Sequence, residues 1–150
     1  SGYRPVNKFY DPARVVGGQR VITCDYLYMR VDEFYLLHAE AAAKTGRETQ
    51  AKAILTQLLT SRNSNIGYIS TLTGAALTDE IYKQTRIELW GEGHRFLDLK
   101  RLNQPLNRNG IGHNAAVALI FDVPAGDPRW EFLIPRRELD ANKLSVQNPV

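Results

Sequence analysis

The amino-acid sequence predicts a mostly α-helical fold in which helical hairpins pack together, with long irregular loops and little or no sheet. Apolar residues recur at spacings of three and four along several stretches, which is the period of a helix with one buried face. Two of these stretches are joined by only about three residues, so their helices must run antiparallel and pack as a hairpin. The 150 residues, 43% hydrophobic and 23% charged, have the composition of an ordinary globular domain.

The first helix is expected from Tyr26 to about Lys44, and Gly46 would end it in a left-handed conformation. Leu36 and Leu37 widen its apolar face, so we expect burial on most sides. The residues of its apolar stripe are Leu27, Val31, Phe34, Tyr35, His38, Ala41 and Ala42.

The second helix follows at once and ends near Arg62, with Ala51, Ile54, Leu55, Leu58 and Leu59 as its apolar stripe. A third is expected from Thr78 as its N-cap, with an apolar face of Ile81, Tyr82, Thr85 and Leu89. Residues 91–93, Gly-Glu-Gly, interrupt that pattern because glycine disfavours a helix interior. A shorter helix from His94, carrying Phe96, Leu99 and Leu102, would complete a second helical pair.

The remaining stretches lack a helical period. We expect an irregular lead-in over residues 1–25 and loops over 63–77 and 103–114, which are rich in Asn, Gly, Ser or Thr. Ala115–Val123 is apolar and ambiguous between strand and helix. Pro135 suits the first position of a short helical turn.

Charge and cysteine content narrow the function classes. The net charge is +3, but the 19 basic residues are interleaved with 16 acidic ones, so no nucleic-acid-binding surface is indicated. The single cysteine, Cys24, cannot form an internal disulfide.

Residues 86–101, RIELWGEGHRFLDLKR, hold the densest group of chemistry-capable side chains. His94 and Asp98 are four residues apart and would share a helical face, as two metal ligands would. Zinc usually takes three or four protein ligands, however, and Glu88 lies beyond the glycine break. No His-Glu-x-x-His motif is present. We therefore predict no metal and no cofactor.

Glu33 and Glu40 on the first helix, with Glu88 and Glu92 further on, raise the alternative of a carboxylate-dependent glycoside hydrolase. A carboxylate buried on an apolar helix needs either a raised pKa or a cationic partner. We predict that Glu33 or Glu40 lies within about 4 Å of a cation in residues 86–101, so that Arg86→Ala would destabilise the fold. We interpret seven residues as a polar clasp between helical pairs, and not as a ligand site: Glu33, Glu40, Arg86, Glu88, Arg95, Asp98 and Arg101.

Nucleophile motifs such as G-x-S-x-G and phosphate-binding glycine motifs do not occur. Tyr68 and Trp130, in or beside predicted loops, are the candidates for ligand binding, because an exposed aromatic ring offers a sugar an apolar face. The alternative is that these rings anchor loops to the core.

Four segments, in this order, resemble the C-terminal region of SusD/RagB-family nutrient-binding lipoproteins. They are YLYMRVDEFYLLHAEAAAKTG (26–46), RIELWGEGHRFLDLKR (86–101), FLIPRRELDAN (132–142) and SVQNP (145–149). The resemblance spans residues 26–150 and departs from the family at Leu133, where proline is frequent.

The resemblance implies TPR-like helical hairpins in a non-catalytic, surface-exposed outer-membrane lipoprotein of Bacteroidetes-type bacteria. Such proteins bind glycans or other nutrients and act with a TonB-dependent, SusC-like transporter. It also implies that residues 26–150 are part of a larger protein. No residue matches the family's lipid-carrying cysteine, and no ligand residue is carried over. The alternative is a TPR-like protein-interaction scaffold without a small ligand.

Overall fold

The fold is built mainly from α-helices, as predicted, with one very small sheet. The computed structural model describes residues 28–62, 65–109 and 122–148. The α-helices of this part are α1 (Val31–Lys44), α2 (Glu48–Thr60), α3 (Gly74–Glu88), α4 (His94–Arg101) and α5 (Arg136–Ala141). Strands β1 (Leu106–Asn107) and β2 (Asp122–Val123) and 3-10 helices over Gly67–Thr71 and Pro128–Trp130 complete it. The expected lead-in and most of the ambiguous stretch before β2 lie outside the described residues.

Helices α1 and α2 form the predicted hairpin, and α3 packs on α1. Gly46 ends α1 with a φ of 77°, and the amide of Arg47 donates to the carbonyl of Ala42 at 2.8 Å. All five predicted apolar residues of α2 are buried. The core joins them to α1, α3 and the first 3-10 helix, and consists of Leu36, Ala39, Ala42, Ala51, Ile54, Leu55, Leu58, Leu59, Ile69, Leu77 and Ile81.

The predicted start of α1 is wrong, and its predicted buried face is wrong in part. The helix begins at Val31, and Arg30 before it has extended backbone angles. Its buried residues are Leu36, Ala39, Glu40 and Ala42, whereas Val31 is 70% and Phe34 59% exposed. Ala42 of the predicted stripe is buried and Tyr35 packs against the core, so the error lies at the start of the stripe. Burial on most sides, as expected from Leu36 and Leu37, is therefore also wrong, since Leu37 is 46% exposed.

The predicted N-cap of α3 at Thr78 is wrong as well. The helix begins one turn earlier, at Gly74, and the hydroxyl of Thr78 donates within it to the Gly74 carbonyl at 3.1 Å. The amide of Gly74 donates to the carboxylate of Glu48, in the first turn of α2, at 2.8 Å. A distant side chain thus satisfies one of the unpaired amides that a local cap would serve.

Helix α4 follows the glycine break, as predicted, and packs into a second, smaller cluster. Its buried residue, Leu99, meets Val123 and Trp130, with Phe96 and Leu106 packed around them. Strands β1 and β2 run antiparallel, with Leu106 opposite Val123. The described part of the chain therefore has a three-helix core and a second cluster, which are joined through the turn between α3 and α4.

Candidate functional site

The turn between α3 and α4 is tied to the open end of the α1–α2 hairpin by a cluster of charged side chains. Arg30 lies 2.8 Å from Glu88 and 2.9 Å from Glu92, and it also donates to the Glu88 main-chain carbonyl at 2.7 Å. Arg62, just beyond α2, lies 2.6 Å from Glu88 and 3.0 Å from Asp32. We call these five residues the hairpin-end cluster. They join the N-terminal end of α1, the C-terminal end of α2 and the C-terminal end of α3.

The two arginines of this cluster favour the ionised form of Glu88. Burial raises the pKa of Glu88, but the hydrogen bonds from Arg62 and Arg30 outweigh it and leave the pKa below its usual value. A general acid needs the opposite shift, towards neutral pH. Glu88 is therefore a structural anion here. Of the five members, only Glu88 was predicted as a clasp residue. Arg30 and Arg62 lie at helix ends, where apolar periodicity gives no signal.

Glu40 forms a second ion-pair group, between α1 and α4. Its side chain is buried, and Arg101 holds both carboxylate oxygens, at 2.7 and 2.8 Å. Lys44 lies 2.7 Å from the same carboxylate, and the Tyr82 hydroxyl donates to it at 3.3 Å. Arg101 also bonds Asp98 at 2.9 Å. Burial raises the pKa of Glu40, but Arg101 and Lys44 outweigh it and bring the pKa to about 2.

The other predicted clasp residues divide into two groups. Glu33 lies 3.8 Å from the ring of His94, so Glu33 and Glu40 both approach a residue of the stretch 86–101 to less than 4 Å. Arg86 and Arg95, in contrast, are exposed, and within the described residues neither forms an ion pair. The expected pairing of Arg86 with a buried carboxylate is therefore wrong; Arg101 occupies that role, one helix further along.

Tyr68 is half-buried and its hydroxyl is engaged. It donates to Glu80 at 2.7 Å, and its ring packs against the three-helix core. Gln84 and Lys83 also bond Glu80, each at 2.6 Å. The hydrogen bond to Glu80 raises the pKa of Tyr68, so the hydroxyl stays protonated as the donor. The ring thus anchors the loop before α3, the alternative to a sugar platform.

Trp130 is 7% exposed and lies in the second cluster. Its indole N–H donates to the Pro124 carbonyl at 2.7 Å, and its ring meets that of Phe96 at a centroid distance of 5.6 Å. A ring buried in this way has no open face for a sugar, which differs from the exposed platform expected of Trp130.

An open groove of about 1000 Å³ lies beside the turn between α3 and α4. One wall is the last two turns of α3 with Trp90, and the other is the first turn of α4. Gly91 and Gly93, with φ values of 80° and 86°, make the bend at its end. The segment 86–101 therefore has two sides. On one side Glu88 and Glu92 bond Arg30, just before α1, and Arg101 bonds Glu40 of α1, while the other side lines the groove.

Two further properties of the described ranges bear on the site. Within 28–62, 65–109 and 122–148, no three His, Cys, Asp or Glu side chains form a group that could hold a metal ion. In the same ranges no helix has both the length and the apolar composition needed to cross a bilayer.

Comparisons with known proteins agree with this architecture. The chain matches the SusD family over residues 1–150. It is also similar to a crystal structure from Bacteroides vulgatus of a protein assigned to sugar binding, with 30% sequence identity and a TM-score of 0.65. That similarity covers 81% of this chain and 28% of the Bacteroides chain, so this chain spans under a third of that relative's length. A search of curated proteins gave no match.

The fold and the comparisons define a helical protein of the SusD type. The chain belongs to the SusD family, which it matches over residues 1–150.

Proposed function

We propose that the chain is a non-catalytic part of a cell-surface glycan- or nutrient-binding protein. The observation that carries this proposal is membership of the SusD family, together with the 30% identical Bacteroides structure assigned to sugar binding. The ion pairs add a physical argument against the hydrolase alternative. Glu40, Glu80 and Glu88 all have lowered pKa values, and a glycosidase acid needs a raised one.

The proposal extends to a partner and a location. A SusC-like, TonB-dependent transporter would receive the ligand, and the full-length protein would be anchored in the outer membrane as a surface-exposed lipoprotein. Family membership is the support for both. Protease treatment of intact cells tests the location, and affinity purification of the tagged full-length protein tests the partner. If the purified full-length protein carried no TonB-dependent transporter with it, the proposed partner would be contradicted.

Glycan binding by the full-length protein is the first test. Affinity electrophoresis against neutral polysaccharides, followed by calorimetry, should identify at least one ligand, and a reducing-sugar assay on the same mixtures should detect no cleavage. Binding of no sugar would favour the protein-interaction scaffold. Turnover that disappears in Glu33→Gln or Glu88→Gln would establish the hydrolase instead.

A further inference from the structure

The groove beside the turn between α3 and α4 has a regular lining on its α3 side. Lys83, Arg86 and Ile87 follow one another at spacings of three and one, so they lie on one face of α3, and Trp90 follows in the turn just after the helix. Arg95, in the first turn of α4, faces them from the second wall. The groove therefore brings basic and apolar side chains together over a few helical turns.

The charges lining this groove are unevenly balanced. It contains three cations, Lys83, Arg86 and Arg95, and one carboxylate, Asp98. Lys83 is held by Glu80 at 2.6 Å, and Asp98 is held by Arg101 at 2.9 Å. Arg86 and Arg95 are thus the cations of the lining that pair with no carboxylate in the described part of the chain.

The two guanidinium groups are close enough to repel one another. Partial burial lowers the pKa of Arg95 below its usual value, the positive charge of Arg86 lowers it further, and Asp98 opposes both. An anion between the two groups would relieve this repulsion. Arginine suits such a role, because its planar fork of donors matches a carboxylate or a sulfate.

Apolar surface lies directly beside these cations. Ile87 is 60% and Trp90 56% exposed, and Phe96 contributes to the opposite wall. A charged sugar presents both features at once: an apolar C–H face on the ring and an anionic group at its edge. A simple inorganic anion would use only the arginines.

We propose that this groove binds the anionic group of an acidic glycan, a uronate carboxylate or a sulfate ester, between Arg86 and Arg95. The proposal deepens and rests on the glycan-binding function proposed above, and it assigns the outer side of residues 86–101 to ligand contact. The opposite side of this segment, with Glu88, Glu92 and Arg101, keeps the structural role given by its ion pairs.

Two matched pairs of polysaccharides test the proposal on the full-length protein. Dextran sulfate and dextran differ in the sulfate, and polygalacturonate and its methyl ester differ in the carboxylate charge. We expect binding of at least one charged member to exceed that of its uncharged counterpart. The double variant Arg86→Gln/Arg95→Gln should weaken that binding by about tenfold or more, because two charge-assisted hydrogen-bonding groups are lost.

Arg137→Gln is the matched control, since Arg137 is exposed, does not line the groove and forms no ion pair with a described residue. It removes one charge and should leave binding unchanged. Ile87→Glu is a second test that keeps both arginines; it places a carboxylate on the exposed groove wall and should weaken binding of the charged polysaccharide.

Three outcomes would overturn the proposal. The double variant and Ile87→Glu could both bind as tightly as the wild type, or Arg137→Gln could weaken binding as much as the double variant. In the third outcome, neither charged polysaccharide binds, which is the result expected if another protein segment fills the groove. If neutral glycans still bind in that third case, the proposed function stands without this site; if no glycan binds at all, both fail.

Discussion

Glu40 shows how one buried acid links two helices. A buried carboxylate without a partner is strongly unfavourable, and here Arg101 meets it with two parallel hydrogen bonds while Lys44 adds a third. Such a pair adds less net stability than its distances suggest, because both charges lose water. Its larger effect is on specificity: Glu40 is satisfied when Arg101 of α4 lies against α1.

Arg101→Ala is therefore expected to lower the free energy of unfolding by about 1 to 3 kcal/mol. The loss stays moderate because Lys44 remains bonded to Glu40. Urea unfolding followed by circular dichroism measures it. Arg86→Ala is the control and should change stability by less than about 0.5 kcal/mol, since Arg86 is exposed and forms no ion pair within the described residues. Equal effects of the two variants would contradict this assignment.

The sequence predicted that an acid of α1 meets a cation of residues 86–101, but the expected cation, Arg86, is not the one that does so. Arg86, Arg95 and Arg101 are all arginines, so their side chains do not differ. Which of them reaches Glu40 depends on the orientation of α4 after the glycine break. The hairpin-end cluster was harder to foresee. Arg30 and Arg62 are 32 positions apart, and they meet because an antiparallel hairpin returns the chain to its starting point. Pairing charges across the two ends of the predicted hairpin would have found them.

At the scale of the elements, the glycine break between α3 and α4 is a feature that was predicted from the sequence and is present in the structure. Gly93 precedes α4 with a φ of 86°, a region that side chains with a Cβ rarely adopt. This angle lets α4 leave the direction of α3 and places Arg101 against Glu40. The break was predictable because two glycines within three residues disfavour a helix whatever surrounds them.

Gly93→Ala should cost about 1 to 2 kcal/mol of unfolding free energy, because alanine is strained at this φ. No atom would contact the new methyl group, so the effect would report backbone strain alone. Gly67→Ala is the control: its surroundings are equally open and its φ is not in the left-handed region. The comparison uses thermal or chemical unfolding, and an equal loss in both variants would contradict the argument.

The elements that the sequence misplaced were decided by tertiary contacts. In α1, two apolar stripes of helical spacing overlap, and only the packing of α2 and α3 selects Leu36, Ala39 and Ala42 as the buried one. The start of α3 depends on Glu48, a residue of another helix that bonds Gly74. The stripe of α2 was clear because no second stripe competes with it. Periodicity therefore predicts a helix better than it predicts which face is buried.

At the scale of the whole molecule, the ionised carboxylates make stability depend on pH. Glu40, Glu80 and Glu88 have pKa values below the ordinary 4.5, to about 2 for Glu40. A group whose pKa is lowered on folding contributes stability above its unfolded pKa and loses it as the pH falls through its folded value. Their contribution is thus present in full above about pH 4.5 and declines towards pH 2.

We expect the free energy of unfolding to be nearly constant from pH 7 to pH 5 and to fall below pH 4.5, with about 1 to 3 kcal/mol attributable to Glu40. Urea unfolding at pH 7, 5, 4, 3 and 2.5 measures the profile. Glu40→Gln should make the fall shallower, because the variant has no proton to take up at this position. An unchanged slope in that variant, or equal stability at pH 3 and pH 7, would count against the assignment.

The hairpin-end cluster has one more consequence. A two-helix hairpin is covalently closed at its turn, here at Gly46, and its other end is free to fray. In this chain the open end is also closed, because Glu88 bonds Arg30 before α1 and Arg62 after α2 at the same time. The two helices are thus linked at both ends of the hairpin, by the peptide chain at one end and by ion pairs at the other. Asp32 of α1 and Arg62 also pair directly at 3.0 Å, so the open end is closed twice, once within the hairpin and once through Glu88 of α3.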